Sequence, residues 1–95
     1  MSSVLNRSEI QSALQTLPGW QRRDDAIERV LQFPNFVAAM KFVNQVAVAA
    51  EAANHHPDIL INYNKVSLTL TSHDSGGVTQ RDIHMAEKIN EIAGG

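Results

Sequence analysis

Between Phe36 and His73 the spacing of apolar residues changes period once, and that change decides most of what this chain can fold into. From Phe36 to Ala53 apolar residues recur at intervals of three and four, the pattern of a helix with one side in a core. From Asp58 to Asn62 and from Val66 to Ser72 the period drops to two, the pattern of half-buried strands. In the second strand Val66, Leu68 and Leu70 share one face, and Ser67, Thr69 and Thr71 the other. His55-His56-Pro57 separates the two regimes, with the proline expected to stop the helix. Tyr63-Asn64-Lys65 joins the strands tightly, Asn being the residue that tolerates unusual backbone angles. If the last strand stays regular, His73 keeps the threonine parity and points away from the helices.

The flanking segments repeat the theme. Ser8 and Gln11 form a capping-box signature ahead of Ile10, Leu14 and Leu17, and Pro18-Gly19 ends that first helix. Trp20 to Arg23 and Ala26 to Phe33 read as a hairpin around Asp24-Asp25, with Ile27, Leu31 and Phe33 inward and Arg29 breaking the alternation. Asn35 caps the long helix, and Thr79 with Asp82 caps a last one whose inner stripe is Ile83, Ala86, Ile89 and Ala93. Arg81, His84, Lys88 and Glu91 form its wet stripe, and Asp82 lies toward the inner side, so it need not be only a cap. The expected order is α-ββ-α-ββ-α: an α+β fold with a four-stranded antiparallel sheet, helices on one face, and a single domain spanning 1–95.

Composition narrows the function classes. A net charge of −2 without basic runs gives no reason to expect nucleic acid or an anionic membrane as partner. With no cysteine, disulfides and thiolate metal sites are excluded. The N-terminus lacks the pattern of a secretory signal, and Lys41, Asn44 and Gln45 interrupt the apolar helix, so no membrane span and a cytoplasmic location are expected. On that helix Phe36, Met40, Val43, Ala47 and Ala50 make one stripe, which Ala39, Phe42, Val46, Ala49 and Ala53 widen to about half the circumference. A sheet needs less than that, so the surplus is assigned to another subunit; a monomer by equilibrium sedimentation at micromolar concentration would refute it. The alternative is that the first helix or a loop covers it.

The chemistry concentrates at Glu51, His55, His56 and His73, because imidazole exchanges protons near neutral pH. Glu51 and His55, four apart, share a helix side, and a carboxylate there orients an imidazole and favours its protonated form. His55 then serves as general acid, or His56 holds the proton while another group is the base. The bland alternative is that both histidines only cap helix carbonyls. A metal site of Glu51, His55 and His73 is disfavoured, since adjacent histidines do not easily face one ion and the helical His pair of zinc proteases is missing. His84 reads as solvated, Trp20 as a core anchor or a wall for a flat ligand, and Tyr63 as packing or a ligand contact. There is no phosphate-cradling glycine loop and no evident nucleophile.

These residues resemble the pterin-4a-carbinolamine dehydratase family, whose animal members are also dimerisation cofactors of a homeodomain transcription factor. The shared pattern is Glu51, His55-His56-Pro57, Tyr63, His73 and Asp82, with Tyr63-Asn64-Lys65-Val66, the run from Gly77 to Asp82, and Pro18-Gly19-Trp20. The resemblance implies an antiparallel sheet packed on helices, assembled as a homodimer or homotetramer. It implies dehydration of a 4a-hydroxy-tetrahydropterin to the quinonoid dihydropterin, recycling the tetrahydrobiopterin spent by an aromatic amino-acid hydroxylase, with neither metal nor cofactor. His55 and His73 would be the proton-transfer pair and His56 would bind substrate or assist. Glu51 and Asp82 would orient the histidines, with Pro57, Tyr63 and Trp20 shaping the site. The competing reading is a non-catalytic module that binds pterin or a protein partner, such as a transcription factor, for which His55 would be dispensable.

Overall fold

The helices and strands follow the local signals in the chain. The computed structural model describes residues 3–94. Helix α1 spans Arg7–Leu14, strand β1 Gln21–Arg23, β2 Ala26–Gln32, helix α2 Phe36–Ala53, β3 Asp58–Asn62, β4 Lys65–Leu70 and helix α3 Gln80–Ala93. The expected α-ββ-α-ββ-α order and the α+β class are what the molecule adopts.

The four strands form one antiparallel sheet in the order β1-β2-β4-β3. The register pairs Ile27 with Leu70 and Leu31 with Val66, so these fully or nearly buried side chains fall on one face together with Leu68. Against that face pack Ala39, Phe42, Val46 and Ala50 of α2 and Ile83, Ala86 and Ile89 of α3, with Ile10, Leu17 and Trp20 closing one end. Each fully buried Leu, Ile or Val contributes on the order of 1.5–3 kcal/mol. The opposite face carries Glu28, Val30, Ser67 and Thr69, and among the described residues no helix covers it.

Several local expectations are corrected. The cap of α1 is Asn6, whose side chain accepts from the Glu9 amide at 2.8 Å while Glu9 Oε1 accepts from the Asn6 amide at 2.8 Å. That carboxylate-closed box displaces the Ser8–Gln11 pair and starts the helix earlier. Helix α2 ends at Asn54, in the left-handed conformation (φ 50°), so the helix stops three residues before Pro57. In the β3–β4 turn it is Tyr63 that takes positive φ. Asn64 instead uses its side chain, donating to the Phe33 carbonyl at 2.8 Å and tying the hairpin to the entrance of α2.

Arg29 falls on the helix-side parity for a reason. Its guanidinium donates to Asn90 Oδ1 on α3, which also accepts from Trp20 Nε1 at 2.8 Å. Asn90 Nδ2 in turn donates to the Pro18 carbonyl at 3.2 Å. Trp20 is therefore a core anchor (6 % exposed) that lines neither of the histidine clefts.

The buried stripe of α2 is Ala39–Phe42–Val46–Ala50, all within the wide apolar stripe expected, while Phe36 and Ala47 of the first row stay exposed. Phe36, Val37 and Val48 remain exposed, as do Leu60 and Tyr63 around the edge strand β3. By length and composition alone α2 is long and apolar enough to cross a membrane. Its buried stripe nevertheless belongs to the core, and Lys41 and Glu51 interrupt the rest.

Candidate active site

The left-handed cap at Asn54 turns the chain sharply, so that the next two residues diverge. His55 points inward and is 9 % exposed, whereas His56 stays exposed. Their carboxylate partners differ from the helical pairing of Glu51 with His55. His56 Nε2 bonds Glu51, and His55 Nε2 bonds Asp82 Oδ1 at 2.5 Å. The proximity that spacing four implies was lost because residue 55 lies beyond the helix end.

Asp82 is wholly buried and fully engaged. Its Oδ2 accepts from Ser72 Oγ at 2.8 Å and from the Thr79 amide at 2.9 Å, while the Ser72 and Thr79 hydroxyls meet at 2.8 Å. The capping box of α3 thus spends one carboxylate oxygen on the helix start and aims the other at an imidazole. A buried carboxylate is costly without such donors, and here it has three. Ser72 was not singled out from sequence, although a signal existed: it continues the Val66–Leu68–Leu70 parity into the core as a hydroxyl.

Neutral His55 donates its Nε2 proton to Asp82, which leaves Nδ1 as an acceptor; protonated, both nitrogens donate. The imidazole forms part of the wall of a cleft of about 430 Å³ between the last turns of α2 and the start of α3. Ala49, Ala52 and Ala53 face Arg81, His84, Met85 and Lys88 across it. His84, expected to be merely solvated, thus lies in the same cleft as His55.

His73 is exposed and lines a second cleft of about 500 Å³ with Thr69, Thr71, Arg23 and Glu28. It therefore shares the threonine face, away from the helices, and is not in the cleft of His55. The Asp58–Thr69 register still carries the segments before β3 and after β4 to one end of the sheet, where all three histidines lie. Asp74, next to His73, has its carboxyl held below the ordinary aspartate range, chiefly by a hydrogen bond from the Arg81 guanidinium and by its charge. Tyr63 sits at the other end of β3, roughly 16 Å away at the usual rise per strand residue, and is exposed. Pro57 is half-buried where β3 begins. The trio Glu51, His55 and His73 does not converge, since each faces a different neighbour.

Comparison with known proteins identifies the family. Residues 3–92 match the family model described as pterin 4 alpha carbinolamine dehydratase. A protein of Koribacter versatilis, named provisionally as a pterin-4-alpha-carbinolamine dehydratase, is 61 % identical over 92 residues, covering 97 % of this chain and 98 % of its own. A similarly named protein of Thermomicrobium roseum is 54 % identical over 89 residues, covering 94 % and 96 %. The crystal structure of a transcriptional coactivator/pterin dehydratase from Brucella melitensis superposes with a TM-score of 0.92 at 44 % identity, covering 96 % of this chain and 99 % of that one. A pterin dehydratase-like RuBisCO assembly factor of the alpha-carboxysome shares the fold, with a TM-score of 0.65 at 20 % identity over 79 % of this chain and 87 % of its own. With nearly its whole length matched, the chain belongs to the pterin 4 alpha carbinolamine dehydratase family.

Proposed function

We propose that this protein removes water from a 4a-hydroxy-tetrahydropterin to give the quinonoid dihydropterin, by proton transfer through histidine. The reaction breaks the C4a–O bond as an acid protonates the departing hydroxyl. The electron pair of the N5–H bond forms the C4a–N5 double bond, and a base takes that proton. One proton is given and one received, so two imidazoles suffice and return to their starting states through solvent.

The observation that carries this reading is the buried His55–Asp82 pair on a cleft wall. A carboxylate that holds one ring nitrogen fixes which nitrogen faces the substrate. His55 and His73 are assigned the two proton transfers; they line separate clefts at one end of the sheet, so the assignment requires a substrate that reaches both. His56, held by Glu51, binds the substrate or assists. The substrate would come from a pterin-dependent aromatic amino-acid hydroxylase. The exposed apolar residues of α2 and β3 support a homodimer or homotetramer, for which the sedimentation experiment above is the test.

The deciding experiment generates the 4a-hydroxy compound in situ and follows its dehydration with and without protein. Acceleration by the parent and its loss in His55→Ala are expected. If single alanine changes at His55, His56 and His73 all leave turnover within twofold, the scheme is wrong. No acceleration by folded parent protein would leave a pterin-binding or protein-binding module.

A further inference from the structure

The cleft beside His55 has a chemical bias that proton transfer does not use. Arg81, His84, Met85 and Lys88 recur at intervals of three and four, so they form one narrow stripe of α3. Opposite them stand only alanines of α2, which leave room and offer no acceptor side chain. In a chain with net charge −2, this cleft is lined by two permanent cations and two histidines, and by no carboxylate.

Of the nearby acids only Asp74 offsets that charge, at Arg81, and Lys88 keeps its own. Asp82 is turned inward onto His55, and Glu51 is engaged with His56. Asp74 takes one end of the Arg81 guanidinium at 2.5 Å. Among the described residues Arg81 Nε is buried without a hydrogen-bond partner, and Lys88 forms no ion pair, not even with Glu91 three residues on. The start of α3 adds the positive end of its dipole. The final carbonyls of α2, which would repel an anion, are partly occupied by the Asn54 and His55 amides.

We propose that this cleft is a subsite for an anionic side chain, a carboxylate or phosphate, on the pterin substrate. The inference rests on the pterin reading of the site. A bicyclic ring packed near His55, Met85 and the alanines would direct its substituent along α3 toward His84 and Lys88. Arg81 and Lys88 are about 10 Å apart along the helix, by its rise per residue, which suits a short tail. The cleft volume also lies within the range of small-molecule sites.

The test compares binding of two fluorescent probes, 6-carboxypterin and 6-hydroxymethylpterin, by fluorescence titration against the full chain. The parent is expected to prefer the carboxylate by roughly tenfold, the scale of one charge-assisted contact. That preference should shrink with added salt, and in Lys88→Gln and His84→Gln the ratio of the two affinities should fall toward one. Equal binding of both probes by the parent overturns the anion subsite alone. A preference unmoved by salt and by both substitutions also overturns it. If neither probe binds, the pterin reading falls, and the subsite with it.

Discussion

Replacing Asp82 by asparagine separates the shape of the buried network from its charge. The carboxylate accepts three donors, His55 Nε2, Ser72 Oγ and the Thr79 amide, the last two on one oxygen. Asparagine keeps one oxygen, which should stay on the two donors, leaving its amide NH₂ facing His55. Two donors cannot face each other, so His55 must move its proton to Nδ1 and accept at Nε2. Losing charge from these hydrogen bonds costs about 1–3 kcal/mol. A domain of this size has roughly 5–14 kcal/mol in hand, so Asp82→Asn folds. The group facing the cleft is then a donor, and a proton acceptor has gone. General acid–base catalysis typically contributes 10²–10⁴-fold, so kcat should drop by about that much. KM should change little, because Asp82 is wholly buried and does not line the cleft. Nitrogen-15 NMR of the imidazole reports the tautomer, a urea melt the stability, and steady-state dehydration kinetics the kcat–KM split. An unchanged tautomer beside a full loss of kcat, or kcat within twofold of the parent, would refute the orienting role.

Two further outcomes follow from the same geometry. Asn90→Leu strips the shared acceptor from Trp20 Nε1 and Arg29, and should cost roughly 2–3 kcal/mol in a urea melt followed through the single tryptophan; a loss within experimental error would mean that solvent already serves these donors. Arg81 holds the Asp74 carboxyl below the ordinary aspartate range, so this pair stabilises the fold above that range and stops doing so as the pH falls through the depressed value. The stability difference between parent and Asp74→Asn, small because both partners are exposed, should therefore vanish only in acid, and a difference that grows on acidification would reverse the assignment.

Elements with strong periodicity were legible from the chain itself. The switch at residues 54–57 placed α2, β3 and β4, the alternation of Val66, Leu68 and Leu70 identified the core face, and Thr79 with Asp82 marked the start of α3. Those features depend on neighbours within a few residues, where backbone geometry alone dictates which side chains share a face. The Arg29 irregularity was visible too, but its partner Asn90 lies 61 residues away.

What the sequence by itself determined is therefore the order of the elements, the class of the fold and the set of imidazoles and carboxylates available for chemistry. Which carboxylate serves which imidazole was decided only by tertiary structure. Spacing four assigned Glu51 to His55, yet the turn at Asn54 hands Glu51 to His56 and sends His55 across 27 residues to Asp82. Likewise the wet stripe of α3 stays largely exposed, yet Arg81, His84 and Lys88 of it wall a cleft because α2 packs beside it. The physical reason is common to both: side-chain partners beyond a helix end are chosen by packing between elements, which local spacing does not encode.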